Sequence, residues 1–180
     1  MVDYKQEALK FQSLYLISQA LNQHEDLGLI FKNIFSILSH NLGLKRGTIG
    51  MLNDDGTEVV IQAGRGLKTV DEHARYKMGE GIIGQVVAQG KPVIVPRISE
   101  ETLFLDKTQR RSNLPERNNI SYICVPIQVG SKTLGALSAD RLFGDDVALE
   151  EDMKLLTLIA SYIAKTVQDR KLQEQETSVL

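Results

Sequence analysis

Apolar residues recur at helical spacing at the start of the chain and again after a short polar break. This pattern predicts a first helix over residues 4–22 and a second helix that begins after Asp26. Asp26 is suited to accept hydrogen bonds from the first free amides of the second helix. Gly43 follows its last apolar residue, at the position where a left-handed residue commonly ends a helix. The shared apolar face of the second helix consists of Leu27, Ile30, Phe31, Ile34, Phe35, Leu38 and Leu42.

The middle of the chain changes to the shorter period of β-strands. Strands are predicted at residues 48–52, 58–62, 92–95, 120–129 and 132–140. The segment 120–129 is apolar on both faces, which is typical of a central strand, whereas the prolines around 92–95 favour a sheet edge. Residues 81–89 are predicted to form a short helix. Residues 64–78 are predicted to form a polar loop that includes a short helix at 70–76.

A long helix is predicted near the end of the chain, over residues 147–173. Its apolar residues step by four and three, which is the spacing of a heptad seam, and a second apolar stripe lies beside that seam. A helix with two apolar stripes usually has two partners. We therefore expect one stripe to contact the sheet of its own subunit and the other to pair with a second subunit. The expected dimer interface consists of Leu9, Leu16, Ala20, Met153, Leu156, Ala160, Ile163 and Val167.

The order of these elements favours an α+β domain with a central antiparallel sheet of about six strands. We expect the N- and C-terminal helices to cover one face of the sheet. The irregular segments 64–91 and 96–119 are expected to cover a pocket on the other face. A single domain is expected over residues 1–170, with the terminal helices forming a dimer and linker bundle. Residues 171–180 are then expected to lead, as a polar linker, towards further domains.

The composition narrows the range of functions. The chain of 180 residues has a formal net charge of −2, whereas a protein that binds nucleic acid usually carries a basic excess. Its single cysteine cannot form an internal disulfide. No segment approaches the roughly 18 apolar residues that a membrane helix needs, and the first residues carry no apolar signal-peptide core. We therefore expect a cytoplasmic protein that binds neither nucleic acid nor a membrane directly.

Three groups of residues carry a resemblance to a known family. They are the glycine-rich segment Lys77–Gly84, the segment Phe104–Thr108, and the paired segments Tyr122–Ile127 and Leu134–Arg141. Together they resemble the N-terminal GAF domain of NifA-type activators, the nitrogen-fixation branch of the sigma-54-dependent enhancer-binding proteins. The resemblance runs from about Phe11 to Val167. The glycine-rich segment occurs in many GAF domains, whereas the Phe-Leu-Asp-Lys-Thr and Cys-Val-Pro-Ile sequences narrow the resemblance to that subfamily.

The resemblance implies a GAF fold and a regulatory role without catalytic activity. In such activators the GAF domain controls an AAA+ ATPase that precedes a helix-turn-helix domain. In some members, 2-oxoglutarate or a nitrogen-signalling regulatory protein is its partner. The chain has no Gly-x-x-x-x-Gly-Lys-Ser/Thr loop, so we expect neither ATP hydrolysis nor DNA binding by this chain alone.

Two functions follow from these implications. The first is a homodimeric sensor, without a cofactor, that binds a small effector or a signalling partner. The effector would be 2-oxoglutarate or another small anion. The second is a purely structural module for dimerisation or protein interaction, without a small-molecule ligand.

An effector pocket is expected on the sheet face that the irregular segments cover. Free N–H groups at the start of the helix 81–89 could bind a carboxylate or phosphate, and Arg110 or Arg111 could supply a planar fork for such an anion. Solvated surface charge is the alternative interpretation of these arginines. Phe104 and Leu105 are expected to plug the core rather than to contact a ligand. The candidate pocket residues are Gly81, Ile82, Ile83, Val86, Phe104, Leu105, Arg110, Arg111, Tyr122, Cys124 and Ser138.

Other motifs have simpler explanations. Residues 79–84 match the spacing of a dinucleotide-binding fingerprint, but no apolar strand precedes them, so a tight turn into a closely packed helix is favoured. Cys124 lies in an apolar run, where a buried, unreactive thiol is expected. The histidines His24, His40 and His73 do not have the spacing of a metal site.

Overall fold

The computed structural model describes residues 4–65, 74–108, 114–144 and 148–178 of the chain. The helices are α1 (Tyr4–Leu21), α2 (Leu27–Leu42), α3 (Gly81–Gln89) and α4 (Leu149–Ser178). The strands are β1 (Arg46–Leu52), β2 (Glu58–Gly64), β3 (Arg75–Lys77), β4 (Val93–Val95), β5 (Ile120–Val129) and β6 (Lys132–Leu142). Short 3-10 turns occupy Ile98–Glu100 and Arg117–Asn119.

The strands form one antiparallel sheet in the order β3-β2-β1-β6-β5-β4. The expected α+β architecture with a six-stranded sheet is confirmed. The short strand β4 lies at an edge, as its flanking prolines predict. Strand β5 lies inside the sheet, and its first eight residues are buried, which agrees with the apolar character of both of its faces.

The two faces of the sheet carry separate parts of the core. On one face, which we call the helix side, α1, α2 and α4 pack over inward-pointing residues such as Ile49, Val125 and Leu137. The opposite face, which we call the cover side, packs against α3 and the turns around Ile98. Because successive strand residues point to opposite faces, each strand contributes to both parts of the core. The expected distribution of terminal helices and irregular segments is therefore confirmed.

Helix α2 has the ends that its sequence predicts. The carboxylate Oδ1 of Asp26 accepts hydrogen bonds from the amides of Gly28 at 2.9 Å and Leu29 at 3.2 Å. Gly43 ends the helix in the left-handed conformation, with φ of 67°. Both groups satisfy backbone atoms that a helix end would otherwise leave without partners.

Two elements differ from the prediction by more than two residues. The helix expected at residues 70–76 is wrong at its end, where Arg75–Lys77 is a strand paired with β2. Residues 66–73 lie outside the described residues. Helix α4 continues to Ser178, beyond its predicted end at residue 173, as a fully polar exposed extension.

No helix in the described ranges combines the length and the apolar character needed to cross a membrane.

The heptad seam of α4 does not face a second subunit, so most of the predicted dimer interface is wrong. α4 lies across β5, and α1 and the sheet enclose most of its heptad seam together with Leu155 and Ile159 of its second stripe, whereas Tyr162 of that stripe is 40% exposed. A side chain enclosed in its own subunit cannot contact another one. The predicted interface residues that are buried in this core are Ala20, Leu156, Ala160, Ile163 and Val167. Leu9 and Met153 are half-buried, and Leu16 is exposed.

Candidate functional site

The cover side of the sheet forms the floor of the candidate site. In the sheet, Thr48 of β1 is paired with Ser138 of β6, and Ser138 is paired with Cys124 of β5. These three side chains therefore lie in one row across the three strands. The hydroxyl groups of Thr48 and Ser138 are 2.7 Å apart and share a buried hydrogen bond. Tyr122 lies two residues before Cys124 on the same face, and both are buried. The floor therefore combines an apolar surface with one internally satisfied polar pair.

Helix α3 forms one wall of the site and lies very close to the backbone that precedes it. Its buried residues Ile82, Ile83 and Val86 contribute to the cover-side core. A side chain at Gly84 would overlap the carbonyl oxygen of Lys77, so only glycine permits this approach. The glycine-rich segment is thus explained by a tight turn into a closely packed helix. The strands before and after it, β3 and β4, lie at opposite edges of the sheet, so they do not form the strand–helix–strand unit of dinucleotide-binding proteins.

Residues 101–108, which we call the cover segment, close the site from above. The ring of Phe104 meets the ring of Tyr122 edge to face, with their centroids 5.0 Å apart. The side chain of Leu105 lies over Gly81, where a Cβ would come within 3.2 Å of it. Phe104 is half-buried against the cover-side core, as predicted, whereas Leu105 is 41% exposed and covers Gly81 at the rim, so the prediction that it plugs the core is wrong. The site is filled by the protein's own side chains in this conformation.

Lys107 fastens the cover segment to the start of α3. Its Nζ atom lies 2.7 Å from the carboxylate of Glu80 and donates to the carbonyl of Arg75 at 2.8 Å. The same ammonium lies 5.3 Å from the ring centroid of Tyr76. The hydroxyl of Tyr76 accepts from the amide of Lys107 at 3.2 Å and donates to the carbonyl of Leu105 at 3.4 Å. We call this set of contacts the Lys107 clasp.

The clasp also lowers the pKa of Glu80. The hydrogen bond from Lys107 lowers the pKa of the Glu80 carboxyl, and the amide of Lys77, which donates to it at 2.8 Å, lowers it further. The carboxylate therefore stays charged to lower pH than an ordinary glutamate. Since Glu80 stands at the residue before α3, it places a negative charge at the start of that helix, where a ligand anion was expected.

An ion pair at the end of the floor was not predicted from the sequence. The Nε atom of Arg46 lies 3.1 Å from Oδ2 of Asp140, whose side chain is fully enclosed. Both residues face the cover side, because they follow the same alternation as Thr48 and Ser138. A charged residue in a strand predicted to be buried requires a partner, so the position of Asp140 was the signal that could have revealed this pair.

The structure brings together nine of the eleven predicted pocket residues. Those on the cover side are Gly81, Ile82, Ile83, Val86, Phe104, Leu105, Tyr122, Cys124 and Ser138. Arg110 and Arg111 lie outside the described residues. Cys124 is a fully buried thiol that is not part of a disulfide, in agreement with its expected environment. Among the described residues, no group of three or more His, Cys, Asp or Glu side chains could hold a metal ion.

A second functional surface lies on the outer face of α1 and α4. Phe11 and Tyr15 of α1 are 76% and 64% exposed, and Leu158 and Tyr162 of α4 are 41% and 40% exposed. Tyr4 extends the row on α1. α1 and α4 are in contact, and we call their exposed apolar residues the outer stripe. Single exposed apolar residues are ordinary, but an aligned group of them on paired helices is typical of an interaction surface.

Comparison with known sequences gives the fold and the site a family context. The sequence model of the GAF domain family matches residues 26–167. The nitrogen fixation protein VnfA of Azotobacter vinelandii is 32% identical over 156 residues, which cover 86% of this chain and 30% of that protein. The Nif-specific regulatory protein of Herbaspirillum seropedicae is 29% identical, with coverage of 93% and 31%. The chain thus spans about a third of the length of the curated relatives it matches.

Solved structures show the same fold at low sequence identity. The GAF domain of A. aeolicus nlh2 in an inactive state superimposes with a TM-score of 0.82 at 22% identity, covering 92% of this chain and 99% of that one. The free methionine-R-sulfoxide reductase of Neisseria meningitidis, solved with its substrate, gives a TM-score of 0.75 at 20% identity, with coverage of 96% and 95%. Proteins with this fold therefore include a GAF domain described in an inactive state and an enzyme.

Proposed function

Because the chain belongs to the GAF domain family, we propose that it is the regulatory sensor domain of a sigma-54-dependent activator of the nitrogen-fixation type. It binds a small effector or a signalling partner on the cover side of its sheet. It has no catalytic activity of its own and controls a downstream AAA+ ATPase. The single observation that carries this proposal is the match, over most of the chain, to Nif-specific regulatory proteins.

The closed site supports a sensing role through its construction. The cover segment rests on the floor through Phe104 and on the start of α3 through Leu105, and the Lys107 clasp holds it at its exposed rim. An effector that displaces these side chains takes over their contacts with the floor. A ligand shifts an equilibrium between two arrangements only by its difference in affinity for them. The open and closed positions of the cover segment are the two arrangements that the effector distinguishes.

The regulatory signal passes to the downstream ATPase through the outer stripe and α4. We propose that two copies pair through the exposed row of Phe11, Tyr15, Leu158 and Tyr162, in place of the buried heptad seam. The polar end of α4 then continues towards the ATPase. This interface places the α4 helices of both copies at the dimer axis, where a small change in packing alters their relative position.

A structural module without a ligand is the second candidate function. The observation that favours it is the filled site, in which Leu105 covers Gly81 and Phe104 contacts Tyr122. In this case the cover-side core only stabilises the fold, and signalling depends on the outer stripe alone.

Calorimetric titration separates the two functions. The 180-residue chain is titrated with 2-oxoglutarate, glutamine, cyclic AMP and cyclic GMP, and any retained molecule is sought by native mass spectrometry. A sensor gives saturable heat with at least one ligand, and Ser138→Val on the floor weakens it. Ser161→Val, on the exposed surface of α4, is the matched control. No heat from any ligand and no retained molecule would favour the structural module.

Sedimentation velocity at several concentrations tests the dimer. Tyr162→Glu and Phe11→Glu introduce charge into the outer stripe and should shift the chain to a monomer. Leu29→Glu places the same charge at a 58% exposed leucine on α2, away from the stripe, and should leave the sedimentation coefficient unchanged. A strictly monomeric wild type would refute this part of the proposal.

A further inference from the structure

Helix α4 stops packing against the domain at one residue, Arg170. Val167 is the last buried residue of the helix, Arg170 is half-buried, and residues 171–178 are all exposed. Arg170 therefore stands at the boundary between the part of α4 that belongs to the core and its exposed extension.

Two nitrogen atoms of Arg170 bind the turn between α1 and α2. The Nη1 atom donates to the carbonyl oxygen of Glu25 at 2.7 Å, and the Nη2 atom donates to the carbonyl oxygen of Gln23 at 2.6 Å. Hydrogen bonds from a charged donor are short and strong, and the rigid plane of a guanidinium fixes the direction of both. These contacts hold α4 against the turn in one orientation, and we call them the Arg170 latch.

The end of α1 explains why a cation is favourable at this place. The last carbonyl groups of a helix carry a partial negative charge, and α1 has no basic residue in its own last turn. Arg170 supplies the positive charge from the neighbouring helix. At the other end of the helix pair, Lys10 of α1 contacts Glu151 of α4 at 2.7 Å. The two helices therefore run in the same direction and are joined by polar contacts at both ends.

The turn that Arg170 binds also holds the start of α2. Asp26 directly follows Glu25, and its carboxylate accepts hydrogen bonds from the amides of Gly28 and Leu29. Helix α2 then packs on strands β1 and β2 of the sheet. A displacement of this turn changes both the cap of α2 and the anchor of Arg170. The latch thus joins the helix that lies on the sheet to the helix that leaves the domain.

We propose that Arg170 is a positioning residue that fixes the direction in which α4 leaves the domain. Movement of α2 on the sheet passes through the turn and the latch to the exposed extension at residues 171–178. Coupling of this kind is carried by rigid elements joined by specific contacts, and the latch supplies the contact between α2 and α4. Its regulatory consequence rests on the proposed sensor function, whereas the latch itself is measured in the 180-residue chain alone.

Distances between two spin labels measure the direction of the extension. Ser36→Cys on α2 and Glu176→Cys on α4 place the labels at exposed positions, while Cys124 is fully buried and does not react. The labelled chain is mixed with an excess of unlabelled chain, so that only distances within one copy contribute. We expect a narrow distance distribution when Arg170 is present and a shifted, broader one in Arg170→Gln.

Two further variants separate the geometry of the latch from its charge. Lys171→Gln removes the neighbouring positive charge at an exposed position and should leave the distance distribution unchanged. Arg170→Lys keeps the charge but carries its donors on one nitrogen only, so it should give an intermediate width.

Amide hydrogen exchange at Gly28 and Leu29, resolved by NMR, tests whether the latch acts on α2. Arg170 binds neither amide, yet Arg170→Gln should speed their exchange about fivefold, because the turn that carries Asp26 loses two hydrogen bonds. In an Asp26→Ala background the same change should add little, because the cap through which the latch acts is absent.

The positioning role is overturned if Arg170→Gln leaves the distance distribution unchanged. It is also overturned if Lys171→Gln broadens the distribution equally, because the loss of charge would then be the cause. Equal acceleration of exchange by Arg170→Gln with and without Asp26 overturns the transmission to α2. A chain with an intact latch that binds no effector and does not pair in sedimentation contradicts the proposed sensor function and leaves the positioning role of Arg170 standing.

Discussion

Two leucines on α4, two residues apart, provide a sharp test of how this helix is oriented. Leu156 is fully buried between α4 and the sheet, whereas Leu158 is 41% exposed on the outer stripe. Replacing a buried leucine by alanine removes apolar contacts and leaves a cavity, which costs about 2–5 kcal/mol. A substitution at an exposed position usually changes the free energy of unfolding by no more than about 0.5 kcal/mol.

This difference in the free energy of unfolding can be measured as a change in melting temperature. For a chain of this size, each kcal/mol shifts the melting temperature by about 2–4 °C. Leu156→Ala should therefore lower it by roughly 10 °C, whereas Leu158→Ala should lower it by about 2 °C or less. Urea unfolding at low protein concentration, where dimerisation contributes little, gives the corresponding free energies.

The two variants should also differ in association. Leu158→Ala should weaken the dimer in sedimentation experiments, while Leu156→Ala should leave the folded fraction able to pair. Equal losses of stability in both variants would refute the assignment of the inner and outer faces. The same conclusion would follow if Leu156→Ala abolished the dimer and left stability unchanged, because the heptad seam would then be the interface.

Further predictions concern the N-terminal cap of α2, the close approach of α3 to the strand before it, and the clasp. Asp26→Ala should destabilise the chain by about 1 kcal/mol in urea unfolding, while Asp26→Asn keeps an accepting oxygen and should cost much less. Gly84→Ala forces its methyl group against the carbonyl of Lys77 and should cost about 1–3 kcal/mol by the same assay. Lys107→Met should speed hydrogen exchange in residues 101–108 and leave α2 unchanged; unaltered exchange would show that the clasp does not hold the cover segment. Because the pKa of Glu80 is lowered from 4.5, the clasp should contribute at pH values above about 4.5 and be lost as the pH falls through the lowered pKa, which exchange measured across that range would detect.

Local chemistry explains why some elements could be predicted well. The limits of α2 depend on Asp26 and Gly43, each of which acts on backbone groups within a few residues of itself. The edge position of β4 follows from its prolines, which cannot donate to a neighbouring strand. These features need no knowledge of distant parts of the chain.

Pairing over long sequence distances explains the errors. Tyr76 lies in a strand because Val59 and its neighbours on β2 provide partners, whereas the local pattern of that segment is also compatible with a helix. Arg46 and Asp140 are 94 residues apart, and Glu80 and Lys107 are 27 apart. No periodicity in the sequence connects such residues, so the clasp could not be predicted. For the ion pair, the sequence offered only the position of Asp140 in a buried strand, which signals that a partner is needed but not which residue it is.

The sequence by itself determined the number, type and approximate limits of most elements, the α+β class and the family resemblance. It also identified nine residues that meet on the cover side. Only the tertiary structure decided which stripe of α4 is covered and which is free. Apolar spacing indicates how wide the buried face of a helix is, but the surfaces that cover that face of α4 come from α1, β5 and β6 after they pack. For that reason Leu156 and Ile163 are core residues, and the outer stripe around Tyr162 is the surface left for a partner.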